Sequence, residues 1–270
     1  GRELALRDEL PHFVDRDDDA VGREHGEVGM GARGDLRDWE IAYRPEKGNN
    51  LANSFFALRT QVGNKQPITR LLEGPVQQPH DLSHGYHPST AAGLPRLKKA
   101  TLRGEYPIAN IQFEDDEFPL QVDLEAYTPL VPLNAEDSGI PCAILTYTIT
   151  NPTDEDAQLT LVGSMLNPTG EKNVDPFGFM RAHNVGRTRN QYREDDNYRG
   201  LYMDVVDIDA NNLYYGNASL VTDHTDVTVK PYWMRGAWFD FLQEFWTDFT
   251  EDGLLTDLGY DEPLPDRRQN

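Results

Sequence analysis

Between residues 54 and 229 apolar and polar residues alternate in short runs that Gly, Pro, Asn and Asp separate. A period of two marks strands that bury one face. Ser54–Val62 and Thr69–Leu72 flank a turn at Gly63–Pro67, as the arms of a hairpin would. Strands are expected again at Ala100–Arg103, Ala109–Phe113 and Leu120–Tyr127, with Asp115–Pro119 turning the chain. Ile140–Thr150 and Ala157–Leu166 are joined by Asn151–Asp156, whose Asn-Pro-Thr-Asp start suits a turn. In the first of these, Ile144, Thr146, Thr148 and Thr150 alternate with Leu145, Tyr147 and Ile149, so two unlike faces are predicted. Leu201–Ile208, Leu213–Leu220 and Thr225–Val229 continue the pattern.

Three segments break it. Gly1 to about Gly26 is highly charged around Asp15–Asp19 and reads as a mobile or loosely docked tail. Gly74–Pro95 is rich in Pro, Gly and His and reads as a long loop. Near the C-terminus the period changes: Trp238, Phe241, Leu242, Phe245, Trp246 and Phe249 recur at helical spacing, and Asp252-Gly253 would end that short aromatic amphipathic helix. The expectation is a mainly β protein, a two-sheet antiparallel sandwich, with an acidic segment over 1–28, one domain over 29–257 and an acidic tail over 258–270.

Charge narrows the function classes. The chain carries a net charge of −21, with 28 Asp against 18 Glu and only 6 Lys among its 25 basic residues. An Asp-rich, Lys-poor surface keeps its hydration when salt has screened charges to a few Å, so a halophilic source and a cytoplasmic location are expected. Nucleic acid is an unsuitable partner, since phosphate binding needs a basic stripe that is missing. No apolar stretch approaches the roughly 18 residues of a membrane span, and no basic-then-apolar signal opens the chain. Cys142 stands alone, which excludes an intrachain disulfide, and its apolar neighbours make it a small core residue.

Several constellations carry candidate chemistry. Gly31–Arg59 opens with Arg33, Asp35, Arg37 and Asp38 around Trp39, a density of charge that fits mutual ion pairing beside a buried indole or, equally, a solvated turn. His80, His84 and His87 lie within eight residues, with Asp81 among them, and form a weak zinc candidate because a Gly- and Pro-rich loop does not gather ligands. Asp204, Asp207 and Asp209 with Asn211 and Asn212 mimic a calcium loop but lack the Gly and terminal Glu of an EF-hand. Phe177–Tyr202 is polar and holds five Arg, including Arg181 and Arg187, together with Tyr192; a solvated loop is its simplest reading. No cofactor is expected.

Four stretches resemble, in order, the N-terminal domain of glycoside hydrolase family 116, the family of β-glucosidases and non-lysosomal glucosylceramidases. They are Gly31–Arg59, Leu94–Pro107, Leu124–Leu166 and Trp238–Leu254, and the third is the most specific, with its Pro-rich aromatic turn, acidic Ser-Gly-Ile-Pro turn, strand and Asn-Pro-Thr-Asp. The family's glycine-rich opening is replaced here by Ala20–Met30. The resemblance implies a supersandwich-like fold. It also implies an (α/α)6 catalytic domain, in the same chain or a separate one, that holds the glutamate nucleophile and aspartate acid/base of a retaining glycosidase; neither has a counterpart in these 270 residues. In such an enzyme Arg37, Trp39, Arg181, Arg187 and Tyr192 would be the candidates for the substrate cleft or the domain interface. No residue here is assigned a catalytic role. The competing classes are a stand-alone carbohydrate-binding sandwich, with Trp39, Trp233, Trp238 or Tyr86 as a sugar platform, and an inactive gene fragment.

Overall fold

The computed structural model describes residues 27–41, 47, 50, 51, 53–76, 91, 93–170, 186–212 and 214–228, and residues 3–10 by their backbone. Within them the chain forms β1 (Glu3–Leu10), β2 (Glu27–Met30), β3 (Leu36–Glu40), β4 (Phe55–Val62), β5 (Ile68–Leu71), β6 (Lys99–Glu105), β7 (Ile108–Glu114) and β8 (Gln121–Tyr127). A single-turn helix α1 (Ala135–Ser138) precedes β9 (Ala143–Thr150), β10 (Ala157–Ser164), β11 (Arg187–Glu194), β12 (Arg199–Val206) and β13 (Asn217–Thr222). An eight-stranded sheet runs β11-β12-β13-β1-β9-β8-β7-β6, a three-stranded sheet runs β10-β4-β5, and β2-β3 is a separate ribbon. Every pairing of named strands is antiparallel.

The two larger sheets pack face to face. On the eight-stranded sheet Ile111, Phe113, Val122, Leu124, Leu145, Tyr147 and Ile149 point inward; Phe56, Leu58 and Val62 of β4 meet them from the three-stranded sheet. The rings of Phe56 and Tyr147 lie 5.4 Å apart between centroids at a tilt of 48°, a favourable aromatic geometry. The expected alternation of β9 is present: Leu145, Tyr147 and Ile149 are buried, while Ile144, Thr146, Thr148 and Thr150 are half-buried on the other face. Gly163 of β10 is tightly enclosed between the sheets, since a Cβ there would stand 3.0 Å from both Leu220 of β13 and Phe56 of the adjacent β4.

β4 is buried on its second face as well. Phe55 and Ala57 join Leu71 and Ala91, with Leu94 and Val162 packed alongside, in a smaller core that the loop around residues 91–97 covers. Side-chain ion pairs fasten the layers at one edge: Arg70 of β5 holds Asp115 of the β7–β8 turn at 3.0 Å, where the Asp115 side chain is fully buried.

Four expectations are corrected. Residues 3–10 lie in the segment read as a loose tail, yet they form β1 between β9 and β13; their register sets Leu4 and Leu6 opposite Ile149 and Tyr147, so a short alternation among charges was enough for pairing. Residues 187–200, read as part of a polar loop, form β11 and the start of β12, because an edge strand exposed to water tolerates polar residues on both faces, while the strand expected at Leu201–Ile208 is present as the rest of β12, which ends at Val206. The strand expected at Leu213–Leu220 starts later, at Asn217, and residues 225–228 are not extended strand. Cys142 is half-buried at the threshold of β9 rather than in the core. The aromatic helix pattern, Trp233 and Tyr86 fall outside the described residues, and among those that are described no helix is long and apolar enough to cross a membrane.

The β2–β3 turn locks against this frame through Gly34, whose φ is +92°. A Cβ there would stand 2.8 Å from the Phe113 ring and 3.0 Å from the Leu72 carbonyl oxygen. Gly34→Ala is therefore expected to cost about 2–3 kcal/mol, from left-handed strain and a forced shift of the ring. The urea midpoint should fall at an unchanged slope; an unchanged midpoint would mean that the turn does not seat on Phe113.

Candidate functional site

The charged turn that opens the most distinctive part of the sequence is held by a chain of four ions, two buried carboxylates and two half-buried arginines. Gly31 and Asp35 close it through a 2.8 Å backbone hydrogen bond. Arg33 then donates to Asp35 at 3.0 Å and to Glu73 at 2.8 Å, and Arg96 donates through Nε to the same Glu73 oxygen at 3.0 Å. Asp35 and Glu73 are each 5% exposed. Two anions and two cations leave the row neutral, which is what allows it to stay out of water. Backbone bonds run in parallel, from Gly74 N to Arg33 O at 2.7 Å and from Leu97 N to Glu73 O at 3.1 Å. The turn, the end of β5 and the loop before β6 are thus one rigid corner.

The pairing expected within the turn is present: Arg33 pairs with Asp35, and Arg37 reaches Asp38 at 3.7 Å on the half-exposed side of the turn. What the sequence did not indicate is the extension of the first pair to Glu73 and Arg96, far along the chain. Asp38 has a φ of 53°, and the β2–β3 register slips beside it. That bulge turns both Leu36 and Trp39 inward, although an unbroken strand would send residues three apart to opposite faces. Trp39 is 2% exposed and its Nε1 donates to Leu36 O at 3.3 Å. A buried indole offers no face to a sugar ring, so the Trp39 platform of the competing binding-module reading is withdrawn.

The other candidates lie on the far edge of the eight-stranded sheet. Arg187 and Tyr192 both belong to β11, but an odd separation puts them on opposite faces. Arg187 pairs with Asp207 at 3.3 Å. The Tyr192 hydroxyl donates to Glu194, which pushes its pKa up because ionisation would forfeit that bond. Beside them Arg189 grips Asp204 through two nitrogens, and the Arg193 guanidinium stacks 3.3 Å above the Tyr202 ring centre. With Asp204 and Asp207 both held by arginine, the calcium-loop reading loses two of its ligands. Among the described residues no group of three metal-ligating side chains assembles. Arg181, His80, His84 and His87 lie outside the described residues.

A second Asn-Pro-Thr turn, unnoticed in the sequence, anchors this hairpin. In both Asn151-Pro152-Thr153 and Asn167-Pro168-Thr169 the Asn Oδ1 accepts from the backbone N and the hydroxyl of the Thr two residues on. The first is at the surface. In the second, Asn167 is buried and spends its Nδ2 hydrogens on Arg189 O, Asn190 Oδ1 and Asp204 O, at 3.2, 2.8 and 3.1 Å. At the hairpin tip Asp195 accepts from the Tyr198 and Asn197 amides at 2.8 Å each, which hold its carboxyl below the ordinary aspartate value.

Most of these partnerships fasten one element to another, and among the described residues none of them sets two carboxylates across an open cleft. A family model described as beta-glucosidase 2, glycosyl-hydrolase family 116 N-term, matches residues 22–270. The chain belongs to this family. No curated protein matches it. As a family 116 N-terminal domain it implies a catalytic domain as its partner, and the corner and the anchored hairpin are the fixed points of its own scaffold. β1 lies before the matched region.

Glu73→Gln tests the corner. It removes the one charge that both arginines share, and Arg33 keeps Asp35, so stability is expected to fall by about 2 kcal/mol, the cost of leaving the half-buried Arg96 guanidinium without its anion. The thermal midpoint should drop accordingly, and a loss under about 0.5 kcal/mol would mean that water, not Glu73, satisfies that guanidinium.

Proposed function

We propose that this chain is the non-catalytic N-terminal β-sandwich domain of a family 116-like retaining β-glycosidase, of β-glucosidase or glucosylceramidase type. The observation that carries this reading is the family match over residues 22–270 together with a described architecture built almost wholly of strands. Retaining hydrolysis needs two carboxyl groups about 5–5.5 Å apart, one as nucleophile and one as acid/base. The four most buried carboxylates described here, Asp35, Glu73, Asp115 and Asp204, are each engaged by an arginine that ties two segments together. They support a scaffold. The domain's task would be to pack on an (α/α)6 catalytic domain and shape the mouth of its cleft. Hydrolysis of an aryl β-glucoside tests this: the 270-residue chain is expected to be inactive alone and to support turnover only with the helical catalytic polypeptide. Hydrolysis by the chain alone would overturn the reading, as would full activity of the helical polypeptide without it.

We further propose a salt-rich cytoplasm as its setting. The support is the charge of −21 and the excess of Asp over Glu with few Lys. Close carboxylates repel one another at low ionic strength, and salt relieves that repulsion. The thermal midpoint is expected to rise between low and molar potassium chloride; a flat or falling midpoint would remove the halophilic reading.

A further inference from the structure

One end of the eight-stranded sheet displays a group of exposed apolar side chains. The pairing of Ile108 with Tyr127, and of Tyr127 with Ile144, brings the β6–β7 tip and the β8–β9 loop to the same end. Tyr106 at the tip is 89% exposed. Across the loop Leu130, Val131 and Ile140 are exposed, and Leu133, at 108%, is as open to water as a side chain can be.

The β8–β9 loop is ordered from within, which rules out slack as the cause. Ser138 Oγ accepts from Val131 N at 2.9 Å and donates to Val131 O at 3.0 Å, pinning the two ends of the Leu133 bend. Asn134 N bonds the same carbonyl at 3.0 Å, and Asn134 Oδ1 caps α1 on Asp137 N at 3.1 Å. Leu133 itself is held at a φ of 66°, a left-handed conformation uncommon for a leucine. A backbone fixed in this way loses little entropy when a partner covers it, and it cannot fold its aliphatic side chains away.

We propose that the β6–β7 tip and the β8–β9 loop form the surface on which the helical catalytic domain seats, with Leu133 as the knob that enters an apolar groove between its helices. This rests on the two-domain reading above. Family membership supplies the partner, and charge argues against a second copy of this chain. Glu105, Glu136 and Asp137 border the apolar residues, so self-pairing would set acid against acid in a molecule of charge −21. The groove it fits is therefore apolar with a basic rim.

The test places the photo-crosslinker p-benzoylphenylalanine at position 133, and separately at position 192 on the distant β11 edge, in the chain together with its helical catalytic domain. It is paired with Leu133→Asp, a residue that accepts left-handed backbone and so leaves the fold intact. The expected results are a crosslink from position 133 to the helical domain, and at least about a tenfold weaker association for Leu133→Asp with an unchanged thermal midpoint of the isolated chain. Association that Leu133→Asp leaves unchanged, or crosslinks to the helical domain from position 192 alone, would overturn this surface while the two-domain reading stands. A position-133 crosslink to residues 229–270 of the same chain, or to a second copy, would overturn it as well. No association of the unaltered chain with the helical domain would overturn the two-domain reading itself.

Discussion

β4 is the strand on which the rest depends, because both of its faces are buried. Phe56, Leu58 and Val62 close the sandwich against the eight-stranded sheet, and Phe55 and Ala57 hold the loop around residues 91–97 from behind. Each fully buried aliphatic or aromatic side chain contributes about 1.5–3 kcal/mol, so this eight-residue strand concentrates much of the apolar stabilisation. Its central place in the three-stranded sheet makes it the shared wall of two cores. Elements touching either wall are placed relative to each other through it.

The corner formed by Asp35, Arg33, Glu73 and Arg96 follows from that placement. Glu73 emerges two residues after β5, the hydrogen-bonded neighbour of β4, and Arg96 comes from the loop that covers the second face of β4. Once β4 has set these segments side by side, Arg33 bridges the β2–β3 turn to them. Neutrality matters in a chain so acidic: the arginines are used where carboxylates must be buried, and the surplus of Asp and Glu is left for water. Lys98 at the surface shows the other regime, gathering Asp116 and Glu117 in an exposed cluster whose attraction salt will screen.

Much of the fold was legible beforehand. The hairpin β4–β5, the meander β6–β7–β8 and the successive strands β9 and β10, which join different sheets, were visible because half-buried strands impose a period of two on the residues themselves. β11 was not, since an edge strand that leaves Arg, Gln, Tyr and Glu in water carries no apolar alternation, whereas the apolar run of β12 was read as part of a strand over Leu201–Ile208. The inward turn of Trp39 was half legible. The density of charge around it pointed to a buried indole, but the bulge at Asp38 that aims it there depends on pairing with β2.

The sequence by itself determined the class of protein: a mainly β chain, acidic to excess, with the ordered motifs of the family 116 N-terminal domain. These are local properties, written in composition and in spacings of a few residues. Only the tertiary structure decided the partners. Glu73 and Arg96 lie 40 and 63 residues from Arg33, and Tyr106 reaches the end of the sheet that carries Leu133 through strand registers that fix position across three strands. Contacts at such separations are set by which strand lies beside which, a choice the whole core makes at once and no short segment encodes.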